Sequence, residues 1–117
     1  SSHACLLYKY AGKKPDPWKF QEENTDLICH VKGRFQADSL DSIKQAVMDD
    51  FGIAYLPRAL IYNELKSGKL VTCLDEFANK KLGIYAVYPN TRLTDKKLAL
   101  LIEHFRNALQ QNKVYFT

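Results

Sequence analysis

Apolar and polar positions alternate with a period of two over the first third of the chain, and the period lengthens to that of a helix beyond residue 38. Residues 5–10 (Cys-Leu-Leu-Tyr-Lys-Tyr) are rich in β-formers and predict a strand, which the polar stretch carrying Gly12, Pro15 and Pro17 ends. Trp18 and Phe20 alternate with Lys19 and predict a short second strand. A longer alternating segment follows, with Leu27, Cys29, Val31 and Gly33 on one face and Ile28, His30, Lys32 and Arg34 on the other, the pattern of a strand with one buried face. Leu40, Ile43, Val47 and Phe51 then fall at helical spacing, so 39–51 predicts an amphipathic helix. Asp38 or Ser39 would accept hydrogen bonds from its first free amides, and Gly52 would take the left-handed backbone that ends it.

Ile53–Ala54–Tyr55–Leu56, bounded by Pro57, is too short for a helix and suits a buried strand. Strand, helix and strand form a βαβ unit, expected to cross over with the right hand. Pro57 opens a further helix through Leu60, Ile61, Glu64 and Leu65 to a stop at Gly68, because its missing amide proton costs nothing in a first turn. Residues 69–74 and 82–88 predict two more strands, the second ended by Pro89. Thr94 would cap a last helix whose stripe is Leu98, Leu101, Ile102, Phe105 and Leu109, with Asp95 near its positive end and His104 and Arg106 toward its negative end. No internal repeat or low-complexity segment interrupts this order, and the fold class is α/β.

Composition narrows the picture. A chain of 117 residues suffices for one compact domain, and 46% hydrophobic with 26% charged residues excludes disorder. No apolar run approaches the roughly 20 residues of a membrane helix, and nothing at the start reads as a signal peptide. Cys5, Cys29 and Cys73 are odd in number and far apart, which speaks against a disulfide framework and for a reducing, cytoplasmic setting. The net charge of +4 comes from scattered pairs such as Lys13–Lys14, Lys80–Lys81 and Lys96–Lys97, a solvated surface rather than a nucleic-acid face. The chain begins with Ser1 and enters an apolar run at once, so it reads as a piece whose upstream portion is missing.

Catalytic templates fail. There is no Gly-x-Gly-x-x-Gly, P-loop, His-Glu-x-x-His or Gly-x-Ser-x-Gly segment, and the expectation is a protein that is not an enzyme, with no catalytic residues and no cofactor. His3 and Cys5 with Cys29 and His30 lack the paired spacing of a structural zinc site, and no metal is expected. Asp49 and Asp50 point about 100° apart on a helix and read as a solvated end rather than an acid–base pair. A helix-turn-helix over 39–66 is disfavoured, because Gly52 to Pro57 is an apolar β-prone run and the second helix carries only Arg58 and Lys66 as basic residues.

Several segments, in order, resemble the effector-binding domains of LysR-type transcriptional regulators. They are His3-x-Cys5-Leu6-x-Tyr8 with Trp18-x-Phe20, then Val31-x-Gly33-x-Phe35 with Asp38, and then Gly52-Ile53-Ala54-Tyr55-Leu56-Pro57. Glu64-Leu65-x-Ser67-Gly68-x-Leu70-Val71, Ile84-Tyr85-Ala86-Val87-Tyr88-Pro89 and Phe105 complete the series, which spans about residues 3 to 109. The aromatic-rich opening is loosely similar to CrgA-type members. The resemblance implies the C-terminal part of the effector domain: one lobe of a type 2 periplasmic-binding-protein-like fold over 1–82, with a return strand and helix over 83–117 that would pack on a missing first subdomain. It implies a small-molecule effector in an interlobe cleft, transcriptional control by that ligand, and DNA contact only through a missing N-terminal domain.

In α/β sheets, ligands gather outside the carboxyl ends of strands, where helix N-termini present free amides. That places the ligand wall at Gln36, Ala37, Asp38 and Ser39, with Leu56 and Pro57 at the equivalent end of the next strand. Asp38 and Ser39 read equally well as plain helix caps. Arg58 would attract an organic anion and reads equally well as a surface arginine. The apolar stripe of the last helix, left without its partner, would drive dimerisation or exchange of the segment after Tyr88. A solute-binding protein lobe shares these expectations and is the rival reading; a small α/β enzyme and a plain interaction domain are further ones.

Overall fold

The computed structural model describes residues 5–10, 12–33 and 35–111. In chain order the strands are β1 (Cys5–Tyr8), β2 (Trp18–Glu22), β3 (Thr25–Cys29), β4 (Phe35–Ala37), β5 (Ile53–Pro57), β6 (Leu70–Cys73) and β7 (Ile84–Pro89). The helices are α1 (Leu40–Met48), between β4 and β5, α2 (Tyr62–Lys66), between β5 and β6, and α3 (Lys96–Gln110), after β7. Five strands form one sheet in the order β4-β1-β5-β7-β6, and β2 pairs with β3 in a separate hairpin. β1 is parallel to both β4 and β5, whereas β7 runs antiparallel to β5 and β6. The expected β-α-β unit is therefore β4-α1-β5, with β1 lying between its two strands.

The long alternating segment expected up to Arg34 is not one strand. Thr25–Cys29 turns back on Trp18–Glu22 through Glu23 and Asn24, whose φ angles of 48° and 66° suit a tight two-residue hairpin turn. The chain then leaves the hairpin and re-enters as β4, and Arg34 lies outside the described residues. Gly33 permits this passage: a Cβ there would lie 2.1 Å from the Cys5 carbonyl oxygen, so only glycine lets the backbone pass so close to β1.

Helix boundaries also shift. Ser39, not Asp38, caps α1, its hydroxyl accepting from the Ser42 amide at 3.3 Å. The left-handed residue after that helix is Asp50 (φ 75°), two positions before Gly52. Phe51 therefore falls outside the buried stripe, 61% exposed, and stacks on Phe35. After Pro57 the chain makes a 3-10 turn over Arg58–Ile61 before α2, so the single expected helix is two short pieces. Asp95, rather than Thr94, caps α3 by accepting from the Leu98 amide at 3.1 Å. Arg106 donates from Nε to Glu76 at 3.0 Å instead of serving the helix end.

Alternation along the strands splits the interior into two cores. Leu6, Ala54, Leu56 and Val87 face α1 and α2, packing with Ile43, Val47 and Ile61. Cys5, Leu7, Ile53 and Ala86 face the hairpin and α3, packing with Trp18, Phe20, Phe77 and Phe105. Trp18 stacks on Tyr55 at 5.7 Å and on Phe105 at 5.5 Å between ring centroids. The stripe of α3 is thus covered from within: Leu98, Leu101, Phe105 and Leu109 are all buried among residues of the same lobe. Ile102, of the same stripe, is half-buried at the margin of this core, so covering the stripe needs no second copy.

An ion-pair clasp joins the end of α1 to the start of α3. Arg92 donates from Nε to Asp50 Oδ1 at 2.9 Å and from Nη1 to Asp95 Oδ2 at 2.6 Å, while Thr91 donates to the same Asp50 carboxylate at 2.8 Å. The Leu98 amide and then the Arg92 guanidinium hold the Asp95 carboxyl below its ordinary range.

Candidate functional site

Three backbone hydrogen bonds define the edge of the sheet where β1, β4 and β5 end. Lys9 N–H donates to Ala37 O at 2.8 Å, Asp16 N–H folds its loop back onto Tyr8 O at 2.9 Å, and Arg58 N–H ties the end of β5 to Gly83 O at 2.8 Å. A pocket of about 180 Å³ opens at this edge. Tyr8 and Pro57 supply the strand ends, Leu40 the first turn of α1, and Ile84 the start of β7. Asp16, Trp18 and Tyr55 form the remaining side, with Leu6. Tyr55 is fixed there by donating its hydroxyl proton to Lys19 O at 2.8 Å, and burial pushes its phenol above the ordinary value. The Tyr8 phenol is also raised, first by desolvation and then by Tyr10 and the carboxylates of Asp16 and Asp38.

The sequence-predicted residues distribute unevenly around this pocket. Pro57 lines it directly. Ser39 and Asp38 precede Leu40, the Ser39 hydroxyl being engaged as the helix cap and Asp38 exposed. Ala37 sits opposite Tyr8 in the sheet register, whereas Gln36 sits opposite Leu7 and so faces the other side. Gln36 instead borders a separate surface hollow with Lys14, His30 and Lys32. Leu56 is fully buried in the aliphatic core, beneath the strand end that Pro57 carries to the pocket. Arg58 lines a third hollow beside β6, with Thr72, Asp75 and Lys80. The residues that reading by strand ends missed are Tyr8, Asp16, Trp18, Leu40, Tyr55 and Ile84. The aromatic enrichment of the opening segment was the available signal for two of them.

The thiols do not build a reactive centre. Burial pushes Cys5, Cys29 and Cys73 each up to about 12, so they stay protonated at neutral pH. Among the described residues no three His, Cys, Asp or Glu side chains gather in a metal-binding group; His3 lies outside the described residues. No helix among the described residues is long and apolar enough to cross a membrane.

The family model described as "LysR substrate binding domain" matches residues 1–110. The HTH-type transcriptional regulator PtxR of Pseudomonas aeruginosa is 30% identical over 95 residues, covering 81% of this chain and 30% of that protein. The uncharacterized HTH-type transcriptional regulator YcaN of Escherichia coli K12 is 28% identical over 105 residues, covering 90% of this chain and 34% of that protein. This chain thus spans about a third of the length of both regulators. A shorter relative, the putative LysR family substrate binding domain-containing protein YagP of the same E. coli strain, is 24% identical over 112 residues, covering 95% of this chain and 82% of that protein.

Proposed function

The chain belongs to the LysR substrate-binding domain family, and from that footing we propose that it is the effector-sensing lobe of a transcriptional regulator, holding one wall of a small-molecule cleft. Membership carries the periplasmic-binding-protein-like α/β fold and a place in transcription regulation. The observation that supports the ligand-binding role is the pocket where the carboxyl ends of β1 and β5 meet the first turn of α1. That is the position at which α/β sheets collect ligands. In this reading Ala37, Asp38, Ser39 and Pro57 surround the ligand together with Tyr8 and Leu40. Leu56 supports it from within the aliphatic core, and Gln36 borders the neighbouring hollow.

A ligand controls such a protein by binding one arrangement of the lobes better than the other, so the lobe is a sensor and not a catalyst. DNA contact belongs to a part of the regulator outside this chain, as the HTH-type names of the relatives suggest. Filling the pocket tests the reading. Leu40→Trp, placed in a full-length regulator carrying this lobe, is expected to abolish the transcriptional response to its effector while leaving operator binding intact in a gel-shift assay. A Leu40→Trp regulator that still responds at the same effector concentration would sink the assignment.

A further inference from the structure

If an effector enters at the carboxyl ends of β1 and β5, the chemistry of that pocket restricts which molecules this lobe favours. Its walls are aromatic and aliphatic: Tyr8, Trp18 and Tyr55 with Leu40, Pro57 and Ile84. The acidic side chain lining it is Asp16, and Asp38 is a further carboxyl group acting on Tyr8 after Tyr10 and Asp16. Lys14 and Lys32 border a different hollow, beside Gln36, and Arg58 and Lys80 another, beside β6. A volume of about 180 Å³ suits one ring; an apolar cavity of roughly 150 Å³ is enough for benzene. Aromatic faces attract cations and a rim carboxylate pairs with them.

We infer that this lobe binds the ring of a small cationic amine, with the ring among Tyr8, Leu40 and Pro57 and the ammonium group at Asp16. The class is opposite in charge to the organic anion that Arg58 suggested from sequence. Among the side chains that line the pocket none is basic, whereas Asp16 offers an ammonium group a carboxylate at a rim edged by aromatic rings. The selectivity rests on the effector-sensing reading, and the two fail differently.

Trp18 is the sole tryptophan of the chain and lines the pocket, so its fluorescence reports entry. Titration of the 117-residue chain with 2-phenylethylammonium, benzyl alcohol and phenylacetate is expected to rank them in that order. The amine should bind about five-fold or more tighter than the acid. Asp16→Asn keeps the backbone bond to Tyr8 O and should bring amine and acid within about two-fold of each other, leaving benzyl alcohol unchanged. Leu40→Phe should weaken all three. Phenylacetate binding as tightly as the amine, or an amine advantage that survives Asp16→Asn, overturns the charge selection and leaves the pocket as the entry site. Failure of all three probes to perturb Trp18 at millimolar concentration, or amine binding undiminished by Leu40→Phe, overturns the inference and the pocket assignment together.

Discussion

On the face of the sheet turned toward α1 and α2, every fully buried side chain is aliphatic: Leu6, Ile43, Ala46, Val47, Ala54, Leu56, Ile61, Leu70 and Val87. The opposite face holds the buried aromatic rings, Trp18, Phe20, Phe77 and Phe105, packed with Cys5, Cys29, Ile53 and several leucines. The aliphatic core is assembled largely from one continuous stretch, β4 through α2, so short connections bring its parts together. The aromatic core gathers the hairpin, the turn at Asp75–Phe77 and α3, segments separated by dozens of residues. Large rings bury more area per residue and stack with defined geometry, which suits a face that must hold distant segments in register. The difference also places the pocket: it opens where the aromatic face, through Trp18 and Tyr55, reaches the carboxyl ends of strands whose other side belongs to the aliphatic face.

The comparison can be broken most severely at Phe105. Removing its ring in Phe105→Ala takes away the partner stacked on Trp18, and a loss of about 3–5 kcal/mol is expected in urea unfolding. Because Trp18 is also a pocket wall, its fluorescence should shift before the global transition if the aromatic face loosens first. Ile43→Val trims one methylene from the aliphatic face and should cost about 0.5–1.5 kcal/mol without moving the Trp18 signal. An equal cost at both positions would erase the distinction between the faces.

The last effect is zero at neutral pH and appears only in alkali. Cys5 and Cys29 lie in the aromatic core, and burial raises both thiols to about 12 from 9.0. The folded form therefore holds its protons longer than the unfolded chain. Stability is complete below pH 9.0 and declines as pH climbs toward about 12. Urea midpoints measured across that interval should fall in the native chain and fall less in Cys5→Ala. A flat profile would mean that these thiols are not desolvated.

Legibility from sequence follows the same division. The run from Ser39 to Pro57 declared itself, because a helical period flanked by a capping serine and a β-prone run before proline depends on neighbours only. The hairpin did not, since Glu23–Asn24 lacks the glycine that usually marks such turns, and the alternation simply continues from β3 through the break at Gly33 into β4. Period-two pattern is blind to a change of partner. The stripe of α3 announced that something covers it, but amphipathicity does not say what, and the partner proved to be its own lobe. At the site, strand ends pointed to Pro57 and to the start of α1, while Leu56 is buried in the aliphatic core and Gln36 borders a separate hollow. Asp16, Trp18 and Tyr55 converge only in three dimensions.

The rims of the five-stranded sheet are stubs: β4 has three residues and β6 four. An incoming extended peptide would find only a few free amide and carbonyl groups on either margin before the rungs run out. Short margins of this kind protect a protein from zipping onto copies of itself. Association of this lobe with another molecule therefore has to be read from its side chains, where specificity is written residue by residue, and not from the indiscriminate grammar of the peptide backbone.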